Sequence, residues 1–287
     1  MKQAFLITAY RDFPSLYELA SYLSENNKVY IHVDKKSRDI QEEELKKLNR
    51  LPDCVAVSLY EVAWGSMNHV YAFLDLLVHA LREPDVSYIH CITGEDYPVI
   101  STEEMDERFL KSNKIYMDYF EPSELTPQVK IRYQYYNLFS NKNVKNPILW
   151  QIQNFTVLLQ KLFHIKRKGI GDFKDIYKGL VYVSMPRKAA EYVINYCEHN
   201  SAYLQDLKRC QLPEEFFFQT LFMNSPLKEK VVRGNLRYMN WDKGDGGSPA
   251  YLSMEDYDAI VKGDYVFARK FHGEESKELK EAIIKRM

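Results

Sequence analysis

Short apolar runs alternate with segments of helical periodicity over the first 120 residues. The apolar runs predict buried strands, and apolar residues spaced three and four apart predict the helices between them. The predicted strands cover 4–10, 28–34, 55–59 and 87–93, and the predicted helices cover 15–26, 41–49 and 67–82, the last capped by Ser66. This alternation predicts an α/β fold with a mainly parallel sheet flanked by helices, with ligands at the carboxyl ends of the strands.

The alternation weakens between about 120 and 175, where the chain is aromatic and basic. We interpret this stretch as an insertion that carries a helical arm, not as a separate domain. The α/β pattern resumes at 178, with a strand over 179–185, a helix over 187–199 and strands near 230 and 236. The sequence therefore predicts one domain over residues 1–287.

Segment 148–168, ILWQIQNFTVLLQKLFHIKRK, is apolar with a basic end. It has two interpretations. It could lie on an anionic membrane surface, or it could be a core helix with a solvated tail. We favour the core helix.

Composition excludes several classes of protein. Hydrophobic residues at 46% and charged residues at 28% are typical of a soluble globular protein, and a net charge of -1 argues against a nucleic-acid partner. The four cysteines are widely spaced and are expected to be reduced and buried. The first apolar run is too short for a signal peptide, and no run approaches the ~20 residues of a membrane span, so we expect a cytoplasmic location.

Common nucleotide-binding motifs are absent, including G-x-x-x-x-G-K-[ST] and G-x-G-x-x-G. The single Asp-x-Asp, at Asp256 and Asp258, is interpreted as the first turn of a helix, where acids are favoured. No metal or other cofactor is therefore expected. A metal-free site for a diphosphate would need other positive groups.

The string QLPEEFFFQT, 211–220, places two carboxylates in front of three phenylalanines. Pro213 could open a helix whose first turn carries acids. One of Glu214 and Glu215 could instead be a catalytic base at the rim of an apolar pocket. These residues alone leave both interpretations open.

Other positions allow two interpretations each. Asp34 ends a strand and could be a turn residue or a ligand contact. The stretch 93–98, TGEDYP, has ordinary turn chemistry. Arg237 and Trp241 are expected on one strand face, and Lys270 could be a surface lysine with a partly covered stem.

Six segments, in this order, resemble the core-2/I-branching β-1,6-N-acetylglucosaminyltransferase family, which has peptide O-xylosyltransferase relatives. They are YIHVDKKS (30–37), AWGSMNHVYAFLDLLVHAL (63–81), YIHCITGEDYP (88–98), LPEEFFFQTLFMNSP (212–226), LRYMNW (236–241) and FARKF (267–271). The resemblance implies a Rossmann-like GT-A fold and metal-free, inverting transfer from a UDP-sugar to a glycan hydroxyl.

The resemblance also assigns roles to residues. The pattern P-[DA]-E implies that Glu215 is the catalytic base and that Glu214 occupies a variable position. The expected donor-site residues are Asp34, Ser66, Arg237 and Lys270, with the last two replacing a metal at the diphosphate. The expected cleft and acceptor residues are Glu95, Asp96, Tyr182 and Trp241.

One stretch departs from the family. Where the family has G-S-[QD]-W, this chain has Gly179, Leu180, Val181 and Tyr182, so Val181 replaces a polar acceptor anchor. This argues against peptide xylosylation in particular. The expected lack of an N-terminal membrane anchor and the reduced cysteines fit a bacterial-type cytoplasmic enzyme of surface polysaccharide or oligosaccharide assembly. GlcNAc is the first candidate sugar, and a lipid-linked glycan is a candidate acceptor. The alternative is an inactive protein that binds a UDP-sugar or glycan.

Overall fold

The computed structural model describes residues 1–143, 146–242 and 248–287. The strands are β1 Lys2–Ala9, β2 Lys28–Val33, β3 Cys54–Val57, β4 Val86–Thr93, β5 Asp96–Pro98, β6 Ile115–Met117, β7 Val183–Pro186, β8 Val231–Arg233, β9 Arg237–Met239 and β10 Phe267–Arg269. The α-helices are α1 Phe13–Ser24, α2 Glu42–Leu48, α3 Met67–Leu81, α4 Thr102–Phe109, α5 Pro127–Gln134, α6 Pro147–Leu162, α7 Arg187–His199, α8 Ser201–Leu207, α9 Phe217–Met223, α10 Tyr257–Lys262 and α11 Lys277–Arg286. Short 3₁₀ helices cover Pro213–Glu215, Lys228–Lys230, Met254–Asp256 and Gly273–Ser276.

The main sheet has seven strands in the order β3-β2-β1-β4-β7-β6-β8. Its pairings are parallel except where β7 joins β4 and β6. The central strand β1 is buried from Gln3 to Ala9, which is why its sequence is a nearly continuous apolar run. The predicted α/β class, with a mainly parallel mixed sheet flanked by helices, is confirmed, and the arrangement is consistent with a GT-A fold.

The core lies on both faces of this sheet. Ala4 and Leu6 of β1 belong to one apolar cluster, and Phe5 and Ile7 belong to the other. Successive strand residues point to opposite faces, so each face needs its own layer of helices. Helix α3 packs on the first cluster and helix α1 on the second.

A small second sheet extends from the carboxyl end of β4. Its strand order is β5-β10-β9, with β5 antiparallel and β9 parallel to β10. Strand β5 begins three residues after β4 ends, so the small sheet is fixed at the edge where ligands are expected. The predicted strand near 236 is confirmed, but β9 ends at Met239, so strand alternation does not reach Trp241.

The segment 120–175 contains α5 and α6. The favoured interpretation of α6 as a core helix is wrong. Of its 16 residues only Gln153 and Val157 are buried, and most of its apolar side chains face solvent. A sequence that is apolar on most sides does not show which surface covers it.

All four cysteines are free and buried, as predicted. Within the described ranges, no helix is both long and apolar enough to cross a bilayer.

Gly179 packs closely against the backbone of two other parts of the chain. Its backbone N–H donates to the carbonyl of Glu215 at 2.8 Å. A Cβ at this position would lie 2.0 Å from the carbonyl oxygen of Asp118. This oxygen is a backbone atom, so no side-chain rotation can relieve the clash.

We therefore expect Gly179→Ala to lower the free energy of unfolding by roughly 2–4 kcal/mol, because overpacking against backbone requires a shift of the chain. Chemical denaturation measures this loss. Lys188→Ala, at an exposed position of α7, serves as the control and should change stability by less than about 0.5 kcal/mol. Equal stability of the two variants would contradict the close packing at Gly179.

Candidate active site

A cavity of about 500 Å³ lies at the carboxyl ends of the central parallel strands. Arg11 reaches it from beyond β1, Asp34 from beyond β2 and Glu95 from beyond β4. This is the edge that the parallel sheet predicts for a ligand site. Of the sequence-predicted residues, the cavity wall contains Asp34, Glu95, Tyr182, Glu215, Trp241 and Lys270.

Glu215 ends the 3₁₀ turn that Pro213 begins, so Pro213 does open a helical element. The three phenylalanines that follow, Phe216, Phe217 and Phe218, are at most 1% exposed. Burial of one such ring contributes roughly 1.5–3 kcal/mol, so these rings fix the position of the carboxylate at the cavity wall.

Two cations orient the Glu215 carboxylate. Its Oε2 accepts a hydrogen bond from Arg132 Nη1 at 2.9 Å and lies 3.2 Å from Lys178 Nζ. Arg132 comes from α5 and Lys178 from the segment between α6 and β7, so residues 120–178 help to build the site. The side chain keeps 20% exposure, which leaves it accessible from the cavity.

Glu214 lies in the same 3₁₀ turn and also in the cavity wall, but its environment differs from that of Glu215. The residue is 8% exposed, and its Oε2 has no hydrogen-bond partner. Burial raises the pKa of Glu214 to about 8, and the charge of Glu215 acts in the same direction. Glu214 is therefore mainly protonated at neutral pH, whereas the two cations contact Glu215.

The positive side of the cavity comes from three residues. Lys270 follows β10, lines the cavity and donates a hydrogen bond to Ser248. Arg269 also lines the cavity, and its Nη2 donates to Glu95 Oε2 at 2.9 Å. Arg11 donates to the other oxygen of Glu95, with Nε at 3.1 Å. One carboxylate thus holds two guanidinium groups at the cavity wall.

Arg237 and Asp96 lie behind this wall, not in it. Arg237 Nε donates to Asp96 Oδ1 at 2.8 Å, and the two side chains are 1% and 0% exposed. The ring of Tyr182 covers the Arg237 guanidinium at 4.1 Å. The structure therefore assigns this pair to the core beneath the site, and the guanidinium beside Lys270 belongs to Arg269. Arg237 and Trp241 do both line a second cavity, of about 430 Å³.

Asp34 is both a turn residue and a residue of the cavity wall. Its Oδ1 accepts from the backbone N–H groups of Lys36 and Val62 at 2.9 and 3.0 Å, and the residue also lines the cavity. Ser66 is the N-cap residue of α3 as predicted, but its side chain makes no capping bond and is fully buried. The neighbouring residue Gly65 lines the cavity instead.

Two histidines near Asp34 carry no charge at neutral pH. His69 is buried, and burial lowers its pKa to about 4, while its Nε2 lies 3.1 Å from Thr8 Oγ1. Burial also lowers the pKa of His32. Both line the cavity, as does Arg269, whose charge also lowers the pKa of His69.

The stretch that departs from the expected acceptor anchor does reach the site. Leu180, Val181 and Tyr182 line the cavity, and the side chain of Gln219 donates to the Leu180 carbonyl at 2.6 Å. This part of the wall is therefore apolar apart from the Tyr182 hydroxyl.

Within residues 1–143, 146–242 and 248–287, no three His, Cys, Asp or Glu side chains come together as metal ligands. Asp256 of the Asp-x-Asp match accepts from Tyr238, Asn240 and the Ser253 backbone, which supports its structural interpretation. The sequence after Trp241 is rich in glycine, and its residues 243–247 lie outside the described residues.

Sequence reasoning did not identify Arg11, Arg269, Arg132 or Lys178 as site residues. Arg11 had a usable signal, because it follows the carboxyl end of a predicted parallel strand. Arg269 is adjacent to Lys270. Arg132 and Lys178 lie 83 and 37 residues from Glu215 along the chain, and no local pattern connects them.

Comparisons with known proteins show which family this chain resembles in sequence. The family model described as Core-2/I-Branching enzyme matches residues 3–261. A xylosyltransferase of Ciona intestinalis is 25% identical over 244 residues, which cover 82% of this chain and 26% of that protein. Xylosyltransferase 2 of Canis lupus familiaris is 24% identical over 293 residues, covering 92% of this chain and 31% of the relative. The chain thus spans less than a third of the length of these relatives.

The protonated state of Glu214 gives a prediction for pH. Its raised folded-state pKa means that the folded protein binds this proton more tightly than the unfolded chain. The resulting stability is fully present below the unfolded pKa of about 4.3 and is lost as pH rises through about 8.

We expect Glu214→Gln to melt close to the wild type near pH 4 and several degrees higher near pH 9. The difference at high pH is up to about 5 kcal/mol, from about 1.36 kcal/mol for each pKa unit between about 4.3 and about 8, because glutamine has no proton to lose. Thermal unfolding across this range measures it, with Glu278→Gln on exposed α11 as the control. A constant offset between Glu214→Gln and wild type at all pH values would contradict the raised pKa.

Proposed function

The chain belongs to the Core-2/I-Branching enzyme family, and we propose that it is an inverting glycosyltransferase that moves a sugar from a UDP-sugar to a glycan hydroxyl without a metal. The observation that carries the proposal is that one cavity contains both a carboxylate and two cations. Glu215 lines the same cavity as Arg269 and Lys270. A base and a set of cations are the two elements that this displacement needs.

The proposed reaction is a single in-line displacement. Glu215 accepts the proton of the acceptor hydroxyl as that oxygen forms a bond to the anomeric carbon. The bond from the anomeric carbon to the β-phosphate oxygen breaks, and its electron pair leaves with UDP. Each product is accounted for: a glycoside with inverted configuration, UDP, and a proton on Glu215.

The cations act on the leaving group. Negative charge grows on the β-phosphate as the bond breaks, so Arg269 and Lys270 stabilise the transition state more than the bound donor. The guanidinium fork of Arg269 is held in place by Glu95, and Lys270 supplies a compact charge. The family resemblance assigned the guanidinium role to Arg237, and we propose Arg269 because Arg237 is paired with Asp96 beneath the wall.

The donor end of the cavity is proposed near Asp34 and the neutral His32 and His69, where a uridine group would meet hydrogen-bonding groups. GlcNAc remains the first candidate sugar. The relatives are named xylosyltransferases, which adds xylose to the candidate sugars. The apolar wall at Leu180 and Val181 lacks the polar anchor expected for the acceptor, and we propose a glycan, including a lipid-linked glycan, instead of a peptide. A cytoplasmic location is part of the same proposal.

The alternative is a protein that binds a UDP-sugar or glycan without transfer. The apolar replacement at Val181 is the observation that favours it. Binding of UDP-sugars with no transfer over a broad acceptor panel would support this alternative.

We expect Glu215→Gln to reduce the rate of sugar transfer by roughly 10²–10⁴-fold, because glutamine cannot accept the acceptor proton. Donor binding should stay within a few-fold of wild type, since the cations of the diphosphate site remain. Transfer assays on a panel of UDP-sugars and glycans, together with calorimetry for UDP, measure both quantities. Glu191→Gln, on exposed α7, is the control. Undiminished transfer by folded Glu215→Gln would exclude it as the base.

We expect transfer to persist in excess EDTA and to fall by at least tenfold in Lys270→Met, because the lysine supplies charge that a metal provides in other sites. The same assay checks both outcomes, with Lys277→Met as the surface control. Loss of transfer on chelation, restored by Mg²⁺ or Mn²⁺, would show that the diphosphate depends on a metal.

A further inference from the structure

Helix α6 presents a broad apolar face to solvent. Its inner side is held by Gln153, whose side chain accepts from the Leu138 N–H at 3.2 Å and donates to the Tyr136 carbonyl at 3.1 Å. The outward apolar residues, between 37% and 68% exposed, are Ile148, Ile152, Phe155, Leu158, Leu159 and Leu162. At 100° per residue these positions span a sector of roughly 120°, opposite the side that Gln153 and Val157 bury.

The apolar face continues beyond the helix and ends in positive charge. Phe163 and Ile165 are 68% and 45% exposed. Residues 147–168 contain four basic residues and no acidic residue. Lys161, Lys166 and Lys168 are exposed, whereas the fourth, Arg167, is buried and paired with Asp206 at 3.1 Å. Lys166 and Lys168 therefore follow the apolar face without an acid in the same segment, whereas Lys161 lies over the Tyr135 ring at 5.7 Å.

We propose that this surface, formed by the outward side chains of 147–168, binds an anionic lipid bilayer. Apolar side chains would enter the boundary between headgroups and acyl chains, and the lysines would contact negative headgroups. A second copy of the chain would bring a second set of lysines and no acid from this segment, so charge complementarity favours anionic lipid over self-association. With 16 residues, α6 lies on the surface and does not cross the bilayer.

The inner side of α6, opposite this surface, adjoins the candidate active site. A cavity of about 200 Å³ is lined by Leu149 and Trp150 of α6 together with Trp64 and Arg132. Trp64 lines the main cavity as well, and Arg132 holds Glu215. Membrane binding would therefore bring the main cavity close to the bilayer. If the proposed transfer is correct, this placement suits an acceptor glycan carried on a lipid.

Co-sedimentation of the full chain with vesicles tests the proposal. We expect binding to vesicles of phosphatidylcholine with phosphatidylglycerol, weakening as salt rises, and little binding to phosphatidylcholine alone. The double variant Phe155→Gln, Leu162→Gln should lose at least tenfold in partition coefficient. The control is Met254→Gln, Ile284→Gln, which changes exposed apolar residues of other elements and should bind as wild type.

A second pair of variants tests charge. Lys166→Gln, Lys168→Gln should weaken binding to the anionic vesicles by at least tenfold, since each lysine contributes roughly fivefold. The control is Lys277→Gln, Lys285→Gln on exposed α11, which should bind as wild type. Thermal unfolding confirms that each variant is folded.

Three outcomes would overturn the proposal. These are absence of wild-type binding, equal binding to neutral vesicles, and equal binding by the α6 variants and their controls. A dimer in sedimentation velocity that Phe155→Gln, Leu162→Gln abolishes, without vesicle binding, would assign the surface to a second copy and also overturn it. The vesicle assay needs no substrate, and Glu215→Gln should bind vesicles as wild type. Failure of membrane binding and failure of transfer are therefore separate results.

Discussion

The buried ion pair between Arg237 and Asp96 is the interaction on which the site depends. It joins β9 to β5 within the small sheet, with both side chains at most 1% exposed. Asp96 Oδ2 also accepts from the backbone N–H and the hydroxyl of Thr93, at 2.5 and 2.8 Å, which ties the pair to the end of β4. Leaving either charge buried without its partner costs about 3–5 kcal/mol, so this pair constrains the small sheet tightly.

The consequence is seen in the cavity wall. Strand β10 lies between β5 and β9, so fixing these two strands also fixes Arg269, the last residue of β10, and Lys270 after it. Tyr182 lies over the Arg237 guanidinium at 4.1 Å and over that of Arg269 at 5.5 Å. One aromatic ring thus contacts both a structural cation and a cavity cation. The part of the cavity wall that contains Glu215 is fixed in another way. Buried phenylalanine rings follow Glu215 in the chain, and Arg132 and Lys178 contact its carboxylate.

Sequence pattern predicted the parts of the molecule that local physics determines. Parallel strands covered on both faces give continuous apolar runs, and β1, β2 and β4 were found in this way. The residues around Pro213 alone did not choose between Glu214 and Glu215; the family resemblance assigned Glu215, which lies in the cavity wall. The pattern could not show that Arg237 meets Asp96, 141 residues away, or that Glu214 and Glu215 have opposite environments. The sequence pattern also led to the wrong assignment of α6 as a core helix. An apolar helix has the same sequence pattern whether or not the rest of the protein covers it. These failures all concern the partner of a side chain, which local sequence does not encode.

The central claim is that cations of the chain, and not a metal, hold the diphosphate of the donor. Calorimetric titration of UDP into the protein in excess EDTA tests this most directly. The account predicts binding by wild type that does not change on adding Mg²⁺ or Mn²⁺, and affinity at least tenfold weaker in Lys270→Met. Binding that appears only when a divalent cation is added, or that is equal in wild type and Lys270→Met, would contradict it.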